Sequence, residues 1–438
     1  MKRIICIGLA AVLLLLCTGC SLDVESFLQP PRSRGEQRQV QQALETYIRD
    51  SGIAERYTLK FPTEGEYTSA FVLCDGQGRP LTDDSAEARM AVAFYALSSA
   101  PEETHINLLR KDGEDWISVA DGDGSGADIR QVTFGDLNGD GMAELLTGWS
   151  TYNSLDRRLA VYDVHNGLTL LTDDRLYTSL YVGDMLASGE ERLLLLRVGS
   201  NNRVTASLEQ LSDKQLVTVD TVRLDGQIQR FEGMTLCRLT GEVHGLYVDG
   251  IRRDNTLVTE LIYYDDTGLH APFYNADTNA TAVTHRSNGL AARDVDGDGN
   301  VDVPRSHRLS DRSDADLTGY VTVWNSWEYE SLSWEERLQT VINTAEDYMV
   351  VLDETQRAGL TTRYDPLTHT LDLLGEEGQV WLRLYTGDGE TLPDPLPAEL
   401  ETVSLLPDER GKDTCMAWFD PQVLETEKVR YMVFRLTA

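Results

Sequence analysis

A nine-residue pattern occurs twice in this chain, and it constrains the fold more than any other feature. Asp136-Leu137-Asn138-Gly139-Asp140-Gly141-Met142-Ala143-Glu144 and Asp294-Val295-Asp296-Gly297-Asp298-Gly299-Asn300-Val301-Asp302 both read D-x-[DN]-G-D-G-x-x-[DE]. Oxygen side chains at the first, third and fifth places of such a loop point at one centre. Glycine at the sixth place permits a sharp turn, and the seventh offers its backbone carbonyl. The last acid comes at the ninth place, not at the twelfth as in a helix-flanked calcium loop. Runs of strand character flank the first copy, QVTF before it and ELLTGW after it. The pattern therefore predicts a tight loop joining two strands, in a chain built mainly of β-structure.

The donor set also predicts an ion. Four or five hard oxygens without nitrogen or sulfur favour Ca²⁺ over zinc or copper, and Mg²⁺ prefers fewer protein ligands and more water. Without a cation, crowded carboxylates repel one another. The plainer reading is a pair of Asp-Gly hairpins with solvated acids, and two independent copies weigh against it.

Between about Tyr67 and Val323, short apolar or alternating runs are separated by Gly, Asp and Asn turns: RMAVAFYAL, HINLLRKDG, RLAVYDVHNG, LVTVDTVRLDG, LVTELIYYDDTG. These are strands of period two with hairpin turns. Asp184, in VGDMLASGEERLLLLR, stands 48 residues after Asp136 and opens a similar unit. LCRLTGEVHGLYVDG and AARDVDGDGNVDVP follow at comparable spacing. A period near 50 residues with several strands per unit fits propeller blades, about five of them here. A β-sandwich carrying calcium loops is the structural alternative. Leu186 and Arg192 stand at ligand places of the VGDMLASGEER loop, so no metal is expected there. Asp121–Asp128 (DGDGSGAD) is out of register and reads as a turn.

At these residues a family likeness appears. FGDLNGDGMAEL and ARDVDGDGNVDV resemble the FG-GAP (VCBS-type) repeats of integrin α-like β-propellers. The likeness covers roughly Tyr67 to Val323 and is carried by the two loops. It implies an extracellular propeller over residues 60–328 with structural Ca²⁺ in blade loops. Matched residue by residue, it implies metal ligands at Asp136, Asn138, Asp140, Met142 (carbonyl) and Glu144. In the second loop it implies Asp294, Asp296, Asp298, Asn300 (carbonyl) and Asp302. It names no ligand for the propeller surface.

The N-terminus reads MKRIICIGLAAVLLLLCTGC. Lys2 and Arg3 precede an apolar run, Ile4–Leu16, that is shorter than the ~20 residues a membrane-spanning helix needs. Small residues before Cys20 resemble the bacterial lipobox, although Cys17 stands where leucine is usual. The expectation is a lipoprotein signal peptide at 1–19, lipidation of Cys20, and anchoring on the extracytoplasmic face of the cell membrane. Pro30, Pro31 and Gly35 predict a tether over 20–35. Val40, Ala43, Leu44, Tyr47 and Ile48 share one face of an amphipathic helix over 36–52. Cys74, Cys237 and Cys415 are odd in number and far apart, which predicts buried free thiols.

Ser333-Trp334-Glu335-Glu336 has the form of a capping box, with Leu338, Val341, Ile342 and Ala345 as the apolar face of a helix. About six or seven strands follow, predicting a small α+β or β domain over 330–438, with extra blades as the alternative. The three tryptophans of VWNSWEYESLSW read as packing, or else as a platform for sugars.

Acidic residues number 72 against 39 basic, a net charge of −33. Such a surface repels phosphate backbones, so nucleic acid is excluded as a partner. There is no G-x-S-x-G, H-E-x-x-H, P-loop or dinucleotide motif, and no catalytic residue is singled out. The expected function is a non-enzymatic binding or scaffold role toward a protein or carbohydrate at the cell surface. The alternatives are a polysaccharide lyase or hydrolase on a propeller scaffold, and an envelope assembly factor.

Overall fold

The structure, a computed structural model, describes residues 35–52, 56–81, 87–151, 156–287, 289–308, 320–353, 360–387, 401–407 and 413–435. The expected signal peptide, Cys20 and nearly all of the tether lie outside the described residues. The protein is mainly β. The described strands form six sheets of four or five strands each, in a chain that divides into two compact units.

The first unit holds the chain up to residue 133, with 147–150 and 162–169. Its helix, Glu36–Asp50, buries Val40, Leu44 and Ile48, a stripe at four-residue spacing. These side chains pack with Phe71, Tyr95 and Trp116 of the first sheet. Met90–Leu97 is apolar throughout and buried but for Leu97, and it pairs with Tyr57–Leu59, Phe71–Cys74 and Ala100–Asp112. Asp115–Asp123 adds the last strand. Within it, Asp121 accepts hydrogen bonds of 2.9 Å from Tyr95 Oη and Asn107 Nδ2. The DGDGSGAD stretch thus begins as strand, and the turn expected over all of it is confined to its second half.

The second unit holds residues 134–146, 151–161 and 170–438. The second sheet is made of Ile129–Gly135, Glu144–Ser150, Arg157–Asp163 and Thr169–Tyr177. Three sheets follow in chain order: the third from Ser179 to Leu224, the fourth from Ile228 to His270, and the fifth opening with Asp302–Arg308 and Tyr320–Glu328. In the third, Leu193, Leu194, Leu195 and Leu196 are all buried, as a central strand covered on both faces requires. The sixth sheet comprises Thr361–Asp365, Thr370–Leu374, Val380–Thr386, Asp413–Phe419 and Glu401–Pro407. Pairings within the first, third, fourth, fifth and sixth sheets are antiparallel. Cys74, Cys237 and Cys415 are buried free thiols.

Two expectations for the C-terminal third are corrected. Ser333–Asn343 is a strand, not the helix its capping-box pattern suggests. It pairs with Tyr320–Glu328 on one side and Tyr348–Leu352 on the other. Thr340, Val341 and Ile342 are β-branched and fit that paired, half-buried setting better than a helix. The domain boundary expected at 330 therefore falls between two hydrogen-bonded strands of the fifth sheet, and residues 170–438 belong to one unit. Helix in this region is limited, among the described residues, to Thr426–Met432.

Candidate metal centre

The two nine-residue loops fold alike, place by place. The first-place carboxylate accepts from the fourth-place and sixth-place N–H groups. Asp136 takes Gly139 at 2.7 Å and Gly141 at 2.8 Å, and Asp294 takes Gly297 at 2.7 Å and Gly299 at 2.9 Å. The third-place oxygen accepts from the fifth-place N–H, at 2.8 Å for Asn138 and 3.2 Å for Asp296. The fifth-place carboxylate accepts from the seventh-place N–H, with Met142 at 2.9 Å and Asn300 at 2.8 Å. The ninth-place carboxylate accepts from the second-place N–H, with Leu137 at 2.8 Å and Val295 at 3.2 Å.

The glycines explain the turn. Gly139 and Gly297 have φ of 76° and 78°, and Gly141 and Gly299 have φ of 86° and 88°. That region is open to glycine at little cost and strained for other residues. Places eight and nine turn inward in both copies. Ala143 and Val301 are buried in the apolar core, as are the carboxylates of Glu144 and Asp302. Beneath the second loop, Val301 and Val303 pack with Phe273, Trp327 and Trp334. The indoles of Trp327 and Trp334 lie 5.3 Å apart, and each also meets the Phe273 ring. Trp324 is fully buried, with its Nε1 donating to Thr340 Oγ1 at 2.9 Å. The tryptophans of this stretch are packing residues.

In the second loop, Asp294, Asp296 and Asp302 each present an oxygen within 4.8 Å of the others. Asp302 is 1 % exposed, and its Oδ1 has no hydrogen-bond partner. A buried carboxylate oxygen without a donor is costly, and a hard divalent cation among these three acids would satisfy it. Burial pushes the Asp302 carboxyl up to about 7, with the charges of Asp296 and Asp298 adding to the effect. Asp298, expected as a fifth-place ligand, is outside this group of three, and its carboxylate instead pairs with Arg337.

The first loop is closed differently. Asn138 Nδ2 donates to Glu144 Oε1 at 2.6 Å, so amide and carboxylate engage each other. Burial raises the Glu144 carboxyl to about 7, and Asp140 and Asp136 contribute their charge. Among the described residues, Asp294, Asp296 and Asp302 gather as three acids able to hold an ion, whereas Asp136, Asp140 and Glu144 of the first loop do not form such a group.

The loop at Asp184 keeps the turn without the ligands. Asp184 accepts from Ser188 N–H at 3.0 Å and Gly189 N–H at 2.9 Å, with Ala187 in the left-handed region where the other loops have glycine. Its neighbour Glu191 reaches the first loop and accepts from the Asp136 N–H at 2.6 Å. Motif reading missed both Glu191 and Arg337, because each lies outside the nine residues and is delivered by the pairing of strands.

No family model matches this chain. No curated protein matches it either. Among solved structures it is similar to a protein from Lactobacillus plantarum, at 12 % identity over 78 % of this chain and 97 % of that one, with a TM-score of 0.30. It is also similar to a putative 6-phosphogluconolactonase from Bacteroides uniformis, at 12 % identity over 74 % and 96 % of the two chains and a TM-score of 0.31. The rhamnogalacturonan lyase YesW aligns at 11 % identity over 74 % and 76 %, with a TM-score of 0.31.

Proposed function

We propose that this protein is a lipid-anchored, extracytoplasmic β-propeller of FG-GAP-like blades, stiffened by calcium in two blade loops. Its role is to bind or scaffold a protein or carbohydrate at the cell envelope, not to catalyse a reaction. The observation that carries the calcium reading is the buried, partnerless Oδ1 of Asp302 beside the oxygens of Asp294 and Asp296. The propeller reading is supported by six sheets of four or five strands, most of them built from strands consecutive in sequence. The anchor reading rests on Lys2-Arg3, the apolar run after them and Cys20.

Calcium supplies positive charge among carboxylates that otherwise repel one another. The chain's own part is to hold those carboxylates in place through backbone N–H groups. The first loop joins the strands Ile129–Gly135 and Glu144–Ser150, and the second leads into Asp302–Arg308, so an ion held in either pins the strand that follows, and its binding energy adds to folding stability. Thermal unfolding of the full chain with calcium and with a chelator tests this. At calcium a hundredfold above Kd, one site stabilises by about 2.7 kcal/mol, a rise of several degrees in Tm. Equal melting temperatures in the two conditions refute the calcium reading.

A further inference from the structure

The two loops differ in charge by one carboxylate. The first carries three, on Asp136, Asp140 and Glu144, because Asn138 fills the third place. The second carries four, on Asp294, Asp296, Asp298 and Asp302. The excess is met by a residue outside the motif. Arg337, on the strand Ser333–Asn343, donates through Nη2 to Asp298 Oδ2. Its Nε lies 4.0 Å from Asp296 Oδ2, and its Nη1 lies 3.3 Å from Glu335 Oε2. Among the described residues, no lysine or arginine pairs with Asp136, Asp140 or Glu144. Counted with Arg337, the second loop has the same net charge as the first, three negatives.

The placement is specific. Asp296 and Asp298 are the third- and fifth-place acids, and both side chains stay partly exposed on the side that Arg337 approaches. The planar fork of arginine can face several carboxylate oxygens at once, which a lysine cannot match. We propose that Arg337 is the built-in counter-charge of the second loop. It offsets the fourth carboxylate, holds Asp298 when no ion is bound, and sets calcium affinity there below what four acids alone would give. This rests on the calcium reading above.

The test is a calcium titration by calorimetry on the full chain in detergent, comparing wild type, Arg337→Gln and Arg337→Lys. Asp302→Asn identifies which binding event belongs to the second loop. Removing a positive charge this close to a divalent ion raises affinity at the second site by about threefold or more. The first site stays unchanged, and Arg337→Lys, which keeps the charge without the fork, falls between wild type and Arg337→Gln. In chelator, Arg337→Gln melts below wild type because four carboxylates are left without their partner. Equal or weaker calcium binding at the second site of Arg337→Gln overturns the counter-charge role alone. Wild-type protein that binds no calcium overturns the calcium reading and this role together.

Discussion

The carboxylate of Glu191 accepts a hydrogen bond from the backbone N–H of Asp136 at 2.6 Å. Glu191 belongs to the loop that opens at Asp184 and carries Leu186 and Arg192 where the first loop has Asn138 and Glu144, and Asp136 opens that first loop. The next junction is similar, with His244 Nδ1 lying 2.7 Å from the carbonyl of Asp184. Neighbouring sheets of the second unit are thus laced through the first residues of successive loops, whether or not those loops have the acids to hold an ion.

Glu191→Ala leaves the Asp136 N–H without its charged acceptor, next to a loop built from acids. A charge-assisted hydrogen bond of this kind is worth about 1–3 kcal/mol. Urea denaturation in chelator is expected to show that loss, and Glu191→Gln, which keeps an acceptor, is expected to recover most of it. Identical midpoints for the alanine variant and wild type would show that the contact does not matter.

Gly141 and Gly299 sit at φ of 86° and 88°, with nothing within 4 Å of an added Cβ. The cost of alanine there is therefore conformational and not steric. Each Gly→Ala change is expected to destabilise by about 1–2 kcal/mol, and Gly→Asn by less, because asparagine tolerates the left-handed region. Chemical denaturation with and without calcium reads both the loss and any recovery by the ion.

Asp294→Ala and Asp302→Asn remove ligands from the second loop. Each is expected to abolish one calcium-binding event and to shrink the calcium-dependent rise in Tm, leaving the event in the first loop in place. Asp136→Ala is expected to do the converse. A variant that keeps both events would place the ion elsewhere.

Glu260 provides a pH test away from the loops. It is fully buried in the fourth sheet and accepts from the Asp225 N–H at 2.7 Å and from Thr281 Oγ1 at 2.6 Å. Burial raises its carboxyl from 4.5 to about 8, and the charge of Asp225 adds to the shift. The folded protein therefore holds this proton more tightly than the unfolded chain. Its contribution to stability is fully present below about pH 4.5 and is lost as pH rises through about 8. Denaturation midpoints should fall between about pH 4.5 and 8 in wild type and fall less in Glu260→Gln. Equal slopes in the two proteins would exclude Glu260 as the source.

The candidate site was legible in the sequence to the extent that it is local. Asp136, Gly139, Gly141 and Glu144 lie within nine residues, and the hydrogen-bonded turn they make follows from spacing alone. The strands were legible too, because runs such as Leu193–Leu196 leave little choice once a sheet is established. What sequence did not show comes from partners far along the chain. Ser333–Asn343 carries a local helix signal that is overridden by strands on both sides. Arg337 reaches Asp298 from 39 residues away, and Glu191 reaches Asp136 from 55. Neither distance leaves a mark in a nine-residue motif.

The fifth sheet is completed by Val433–Arg435, which pairs with Tyr348–Leu352 although every strand of the sixth sheet lies between them in the sequence. Loss of the chain beyond Leu352 to a protease would strip that edge of its cover. The bared backbone of Tyr348–Leu352 would then be a template on which a second damaged copy could pair, so integrity of this late stretch guards the molecule against self-association as well as unfolding.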